Sequence, residues 1–235
     1  MPSPSSSPSP FPSLTSSVTP SVTPSVTPSR PVDPVPARPT TPEGWWRHLC
    51  WLEDHRIALV GDLPHDRVRA AAQLGEWVAA GVTHIVDLRG EHSDEAFVAE
   101  RAPGITYRWL GTHDDGTTQD ADWFTTGVGA ILDALSHPGA RVVVHCHMGV
   151  NRAPSMGFAA LLALGLDPVR ALDTIRSARP IAAVLYAEDA VRWWTEIRTP
   201  TETATALRAV RDWHRANPCD VRWIISRIRR AEWDD

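Results

Sequence analysis

The chain has 235 residues and a formal net charge of −5, and all 23 of its basic residues other than histidine are arginines. Within residues 44–200, 20 acidic residues outnumber 14 arginines. An acidic protein of this kind repels polyanions, so general binding to nucleic acid or to anionic membranes is excluded as a function.

Residues 1–43 are dominated by proline, serine and threonine, which fill 30 of the 43 positions. The motif Ser-Val-Thr-Pro occurs three times in succession from Ser17 to Pro28. So few apolar side chains cannot offset the entropy lost on ordering, and we therefore predict a disordered tail. The remaining residues are enough for one domain, which we place at 44–200, with a helical extension at 201–235.

Strand-like and helix-like segments alternate after the tail. The strand-like segments are short and apolar or β-branched: residues 49–53, 56–60, 84–88, 105–110 and 141–145. The predicted helices of the domain are residues 68–80, 93–101, 122–136, 153–164, 168–178 and 185–197, and those of the extension are 202–216 and 219–231. This alternation requires crossover connections and predicts an α/β fold with a central, mainly parallel sheet of about four to five strands flanked by helices.

The sequence also bears on compartment and cofactors. The N-terminus has no charged start followed by an apolar run, and the longest apolar stretch, Met156 to Leu166, is too short to span a membrane. The three cysteines are odd in number and lack metal-type spacing, and the histidines are scattered. We predict a reduced, cytoplasmic protein without a metal.

The most informative segment follows the last predicted strand and runs from His145 to Ser155. The strand delivers Cys146 to the carboxyl edge of the sheet, where α/β folds bind ligands. Gly149 permits a tight turn, and Pro154 suits the first turn of a helix. The loop residues are expected to point amide groups inward and to cradle a phosphate: His147, Met148, Gly149, Val150 and Asn151. Arg152 can close this cradle with its two-pronged guanidinium.

The same segment predicts a reaction. A positive environment is expected to lower the pKa of Cys146, and the resulting thiolate can attack a bound phosphate to form a phosphocysteine. The leaving oxygen then needs a proton from a carboxylic acid. Asp114 and Asp115 both follow the 105–110 strand, and either side chain could supply that proton.

The motif His-Cys-x-x-Gly-x-x-Arg resembles the signature of the cysteine-dependent protein phosphatases, and the dual-specificity branch is the most similar. The resemblance covers roughly residues 49–197 and includes Asp87-Leu88-Arg89. The segment Asp114-Asp115-Gly116 is similar to the acid loop of that family and assigns the acid to Asp114. The resemblance implies a phosphotyrosine-phosphatase-like fold, hydrolysis of phosphate monoesters and no cofactor.

Two departures from the family pattern are visible. Ala153 stands where the family usually has a serine or threonine whose hydroxyl helps the thiolate leave, and Ser155 lies two residues further on. A slow breakdown of the phosphocysteine is therefore expected. Arg179 lies in a segment that resembles the family's downstream arginine segment but lacks its asparagine, so contact with substrate is not predicted. His145 is expected to orient the loop by hydrogen bonding.

The sequence supports one main function and two alternatives. The main prediction is an enzyme that dephosphorylates tyrosine, serine or threonine in proteins, or a small phosphate monoester. One alternative is a pseudophosphatase that binds phosphorylated partners without turnover, and the other is sulfur transfer by a rhodanese-like loop. The loop has no fixed positive charge, which disfavours highly phosphorylated inositides. The oligomeric state is not predicted.

Overall fold

The computed structural model describes residues 44–52, 55–196 and 199–234, so the predicted tail at residues 1–43 lies outside the described residues. Within these ranges the strands are β1 (Cys50–Leu52), β2 (Ile57–Val60), β3 (His84–Arg89), β4 (Thr106–Thr112) and β5 (Val142–His145). The helices are α1 (Arg67–Ala79), α2 (Glu95–Arg101), α3 (Ala121–Ser136), α4 (Arg152–Ala163), α5 (Pro168–Ala178), α6 (Ala187–Trp194), α7 (Pro200–Ala216) and α8 (Val221–Asp234).

The strands form one five-stranded sheet in the order β1-β2-β5-β3-β4. β1 pairs antiparallel with β2, whereas β2, β5, β3 and β4 are mutually parallel. The central strand β5 lies between β2 and β3 and is buried along its whole length, as its β-branched sequence indicates. The predicted α/β fold with a mainly parallel sheet is confirmed.

The two faces of the sheet bury different sets of side chains. One face packs against α1 and α2 through a cluster that includes Val60, Leu74, Trp77, Ile85 and Val143. The other face packs against α3, α4, α5 and α6 through a larger cluster that includes Leu59, Val86, Phe124, Val144 and Phe158. Successive side chains of each strand thus point to opposite apolar faces, and the carboxyl edge of the sheet is where polar groups can lie.

The edge strand β4 runs two residues beyond its predicted end at residue 110. Gly111 makes the extension feasible because any side chain at that position would collide with the carbonyl of Arg89. The indole of Trp109 also donates to that carbonyl at 2.6 Å, and the pairing with β3 shifts register between Asp87 and Arg89. These contacts lie between strands that are distant in sequence, so the local pattern did not reveal them.

Four helices begin two residues away from their predicted starts, namely α2, α6, α7 and α8, and the structure shows the cause for α6 and α7. α6 begins at Ala187 rather than at residue 185, because Val184 has a left-handed backbone with φ 52°. α7 begins earlier than predicted, at Pro200, because Thr199 and Glu202 form a reciprocal capping box.

The last two helices contact the sheet-bearing part of the chain. Val210 and Trp213 of α7 join the large core cluster, and Ile224 and Ile228 of α8 pack in a small cluster with Trp46. The proposed limits of the domain and extension stay a prediction. Among the helices in the described ranges, none is long and apolar enough to cross a membrane; the cytoplasmic location stays a prediction.

Candidate active site

The loop between β5 and α4 forms a tight turn at the carboxyl edge of the sheet. It runs from Cys146 to Asn151, and Gly149 adopts a left-handed backbone with φ 63°. A Cβ at Gly149 would collide with the guanidinium of Arg179, so glycine is required for both reasons. We call residues 146–152, the loop together with Arg152, the phosphate loop after its predicted role.

Arg179 supports this loop from within the protein. Its guanidinium is buried and donates to the carbonyls of Gly149 at 2.6 Å, Met148 at 3.1 Å and Trp46 at 2.7 Å. Two carbonyls of the loop are thereby fixed by hydrogen bonds to one side chain. On the other side, the backbone amides of Ala153 and Gly149 hydrogen-bond to the Cys146 thiol. Arg179 is therefore a structural support of the loop, a role that its sequence context did not show.

The Cys146 side chain is buried at the base of the loop, with 2% of its surface exposed. Burial raises the pKa of its thiol, while Arg152 and the two backbone amides lower it and Asp114 raises it. The expectation of a lowered pKa is therefore wrong for this arrangement. The reason is that the sulfur has lost its contact with water, and this effect outweighs the charge of Arg152 and the loop amides.

Arg152 is held by a carboxylate that the sequence analysis did not identify. Its Nη1 and Nη2 donate to the two oxygens of Glu91, both at 2.8 Å, and Nη1 also donates to the carbonyl of Thr112 at 2.9 Å. The guanidinium holds the pKa of Glu91 down, at about 2. The Nε atom of Arg152 is buried and has no hydrogen-bond partner among the described residues. A buried donor without a hydrogen-bond acceptor costs free energy unless a ligand supplies the acceptor. A phosphate oxygen is an acceptor of this kind.

The two candidate acids lie in different environments. Asp114 Oδ1 accepts from Asn151 Nδ2 and from the Tyr186 hydroxyl, both at 2.7 Å, and its Oδ2 lies 3.5 Å from Arg152 Nε. Asp115 instead accepts from the amide and hydroxyl of Thr117 at 2.9 and 2.7 Å, in an exposed turn. The structure therefore places the Asp114 carboxylate beside the phosphate loop and the Asp115 carboxylate in solvent.

Similar proteins were found by sequence and by structure, although no family model matches the chain. The chain is 33% identical over 104 residues to human dual specificity protein phosphatase 26, covering 43% of this chain and 48% of that protein. It is 30% identical over 115 residues to mouse dual specificity protein phosphatase 13B, covering 48% of this chain and 58% of that protein. The chain thus spans about half the length of the curated relatives it matches.

The crystal structure of human DUSP28 has the same fold, with a TM-score of 0.53, 20% identity and coverage of 69% of this chain and 100% of that one. Relatives and fold agree with the sequence motif. In motif, relatives and fold the chain is similar to the cysteine-dependent, dual-specificity-like phosphatases. Asp87 and Arg89 lie in the Asp-Leu-Arg segment that resembles these phosphatases, and they form a buried ion pair at 2.8 Å.

Two further predicted site residues have structural partners. Asn151 braces the acid loop through Asp114 and accepts from the Ser155 hydroxyl at 3.2 Å. Ser155 is fully buried and also accepts from the Tyr186 amide at 3.3 Å. These contacts tie the start of α4 to the segment before α6.

His145 has an environment different from the one predicted. Its Nε2 lies 3.6 Å from Asp87, and its Nδ1 has no hydrogen-bond partner among the described residues. Burial lowers the pKa of this imidazole. A role in orienting the loop by hydrogen bonds is therefore not seen, because the ring faces the neighbouring strand β3.

Two residues of the site were missed in the sequence. Glu91 follows β3, and Tyr186 precedes α6. The rule that parallel strands present their carboxyl ends at one edge offers a signal for Glu91. For Tyr186 no such signal exists, since its position depends on how α6 packs.

We expect Glu91→Gln to make the Cys146 thiol more acidic. The amide has the shape of the carboxylate but no charge, so the field of Arg152 at the sulfur is less compensated. The pH at which Cys146 reacts with iodoacetamide should fall by about half a unit or more. Alkylation rates measured across pH provide the check, with Glu100→Gln as a charge-matched control in the exposed pair with Arg67. An unchanged profile would show that Glu91 does not control the thiol.

Proposed function

We propose that the chain is a phosphatase that hydrolyses phosphate monoesters, of tyrosine and of serine or threonine in proteins, through a phosphocysteine at Cys146. The observation that carries this proposal is that Cys146, Arg152 and Asp114 converge at one loop. Arg152 Nε makes no hydrogen bond within the described residues and lies 3.5 Å from the Asp114 carboxylate. A thiol, a cationic donor and an acid so placed match the three needs of phosphoryl transfer to a nucleophile.

The proposed reaction has two steps. The Cys146 thiolate attacks phosphorus, the ester oxygen departs with the proton of Asp114, and Arg152 together with the loop amides stabilises the charge on the phosphoryl oxygens. In the second step the Asp114 carboxylate takes a proton from water, the resulting hydroxide attacks phosphorus, and the thiolate leaves. The products are an alcohol and inorganic phosphate, and no cofactor takes part.

The test is an assay with aryl phosphates followed by trapping of the intermediate. Wild-type protein incubated with p-nitrophenyl phosphate should release phosphate, and a rapid acid quench should give a phosphorylated peptide that contains Cys146. Turnover without any phosphorylated Cys146 would contradict the covalent route. Binding of phosphate without turnover would favour the pseudophosphatase function, for which the alanine at position 153 is the supporting feature.

We expect Ala153→Ser to accelerate the second step. The resemblance implies that a hydroxyl at this position helps the thiolate leave, and the backbone amide of Ala153 already contacts the sulfur. A hydrogen bond to a charged group is strong enough to raise the steady-state rate about tenfold. Wild type should show a burst of aryl alcohol followed by a slow phase, and the variant should lose the burst. Ala163→Ser, on the exposed end of the same helix, is the matched control; a wild-type progress curve without a burst would contradict slow breakdown.

A further inference from the structure

The phosphate loop is connected to the C-terminal helix α8 through His147. The imidazole Nδ1 of His147 donates to Asp62 at 2.7 Å, and its Nε2 lies 3.6 Å from Glu232 of α8. The amide of Asp62 also donates to the carbonyl of His147 at 2.9 Å. Residue 147 is thus held by its main chain and by two carboxylates from different parts of the chain.

Apolar contacts join the same two elements. Met148 and Val150 of the phosphate loop pack in one small cluster with Ile224 and Ile228 of α8 and with Trp46. Val150 and both isoleucines are almost completely buried. Alternate loop residues therefore contact α8 by apolar packing, while His147 contacts it by charge.

The charges around His147 indicate that its imidazole is protonated. Each ring nitrogen faces a carboxylate, and a ring nitrogen attracts a carboxylate only when it carries a hydrogen. Asp62 is fully buried, and neither its Oδ1 nor Glu232 Oε1 has a hydrogen-bond partner among the described residues. The hydrogen bond to Asp62 raises the pKa of His147. An imidazolium at this position donates to Asp62 and attracts Glu232 by its charge.

A metal ion explains the cluster less well. One ligand atom from each of Asp62, His147 and Glu232 lies within 4.8 Å of the others, as in a metal site. However, Arg47 lies 3.4 Å from Asp62 and 3.8 Å from Glu232. Arg89 lies 4.0 Å from Asp62. These two guanidinium groups already provide positive charge and would repel a metal ion. A protonated His147 therefore explains the cluster better than a bound metal ion does.

We propose that α8 is part of the phosphate site and that Glu232 and His147 are positioning residues. Glu232 and Asp62 hold the His147 imidazolium between them, and this contact keeps the first turn of the phosphate loop in the conformation that binds phosphate. The consequence for turnover rests on the proposed function. The coupling between α8 and the loop is independent of it and is measurable without turnover.

This coupling depends on pH. Because the pKa of His147 is raised above its value in the unfolded chain, the charge on its imidazole is fully present below about pH 6.5 and is lost as pH rises through the higher folded value. Burial also raises the pKa of Glu232, so the attraction between Glu232 and His147 is lost again as pH falls through that raised value. The charged groups that face His147 or its carboxylate partners are Asp62, Glu91, Glu232, Arg47, Arg89 and His65.

The experiment compares wild type with Glu232→Gln in the full chain. The ring-proton resonance of His147, titrated by NMR, should report a lower pKa in the variant, and the amides of residues 147–151 should exchange with deuterium faster. Inorganic phosphate, used as the probe, should protect Cys146 from iodoacetamide with a dissociation constant about threefold to tenfold higher. Glu100→Gln removes the same charge at an exposed position and should change none of these values.

A second variant keeps the test decisive if Glu232→Gln folds poorly. His147→Asn retains an amide that can donate to Asp62 but removes the group that faces Glu232. The loop amides of this variant should exchange with deuterium as fast as those of Glu232→Gln. The double variant, with both substitutions, should show no further increase in the exchange rate. An unchanged His147 pKa together with unchanged loop exchange would overturn the proposal. Failure of phosphate to protect wild-type Cys146 would instead contradict the proposed function, while the NMR and exchange results still decide the role of α8.

Discussion

Cys146→Ser is expected to abolish hydrolysis of aryl phosphates, with kcat lower by at least about 10⁴-fold. The serine hydroxyl has the size of the thiol but a far higher pKa, so the loop amides and Arg152 cannot produce the anion that attacks phosphorus. The side chain is buried at 2% exposure and touches the amides of Ala153 and Gly149. Replacing sulfur by oxygen should therefore leave the loop folded and its phosphate cradle intact.

The measurement is a steady-state assay together with a phosphate-protection or binding assay on the same protein. Cys219→Ser is the control, because Cys219 is a free, half-buried cysteine whose sulfur contacts Ile181. Cys146→Ser should bind inorganic phosphate as wild type does while losing turnover. Activity that survives the substitution would rule out the covalent mechanism.

Much of the fold followed from local sequence patterns. The β-branched run of β5 predicted a central buried strand, and the cysteine, glycine, arginine and proline after it predicted a strand, a tight loop and a helix. These features depend on neighbours within a few residues, so periodicity and turn chemistry are enough to find them.

The electrostatics of the site depended on partners far away in the chain. Glu91 lies 61 residues from Arg152 and Asp62 lies 85 residues from His147, and both pairs form only after the sheet is assembled. Whether Cys146 has a raised or a lowered pKa follows from the balance of these charges and burial, which a motif alone does not contain. The sequence therefore predicted which groups lie together at the loop but not their ionisation.

The assignment of the acid depends on the same kind of long-range contact. Two adjacent aspartates follow β4, and their spacing to the cysteine differs by one residue. Asn151 and Tyr186 both donate to Asp114, and these donors come from the phosphate loop and the segment before α6. The adjacent Asp115 forms only a local turn with Thr117. The geometry thus favours Asp114, in agreement with the resemblance of the acid loop.

Asp114→Asn is expected to lower kcat for phenyl phosphate by about 10²-fold to 10³-fold and to lower it much less for p-nitrophenyl phosphate. The asparagine keeps an oxygen that can accept from Asn151 and Tyr186, so the loop should hold its position. The variant loses the proton that the leaving oxygen takes up. Nitrophenolate leaves more readily without a proton than phenolate does, so its release depends less on the acid. Asp115→Asn is the matched control, since asparagine supports the same turn with Thr117 and should leave both rates unchanged. Equal losses with both substrates would show that Asp114 positions the loop, and a loss in Asp115→Asn alone would reassign the acid.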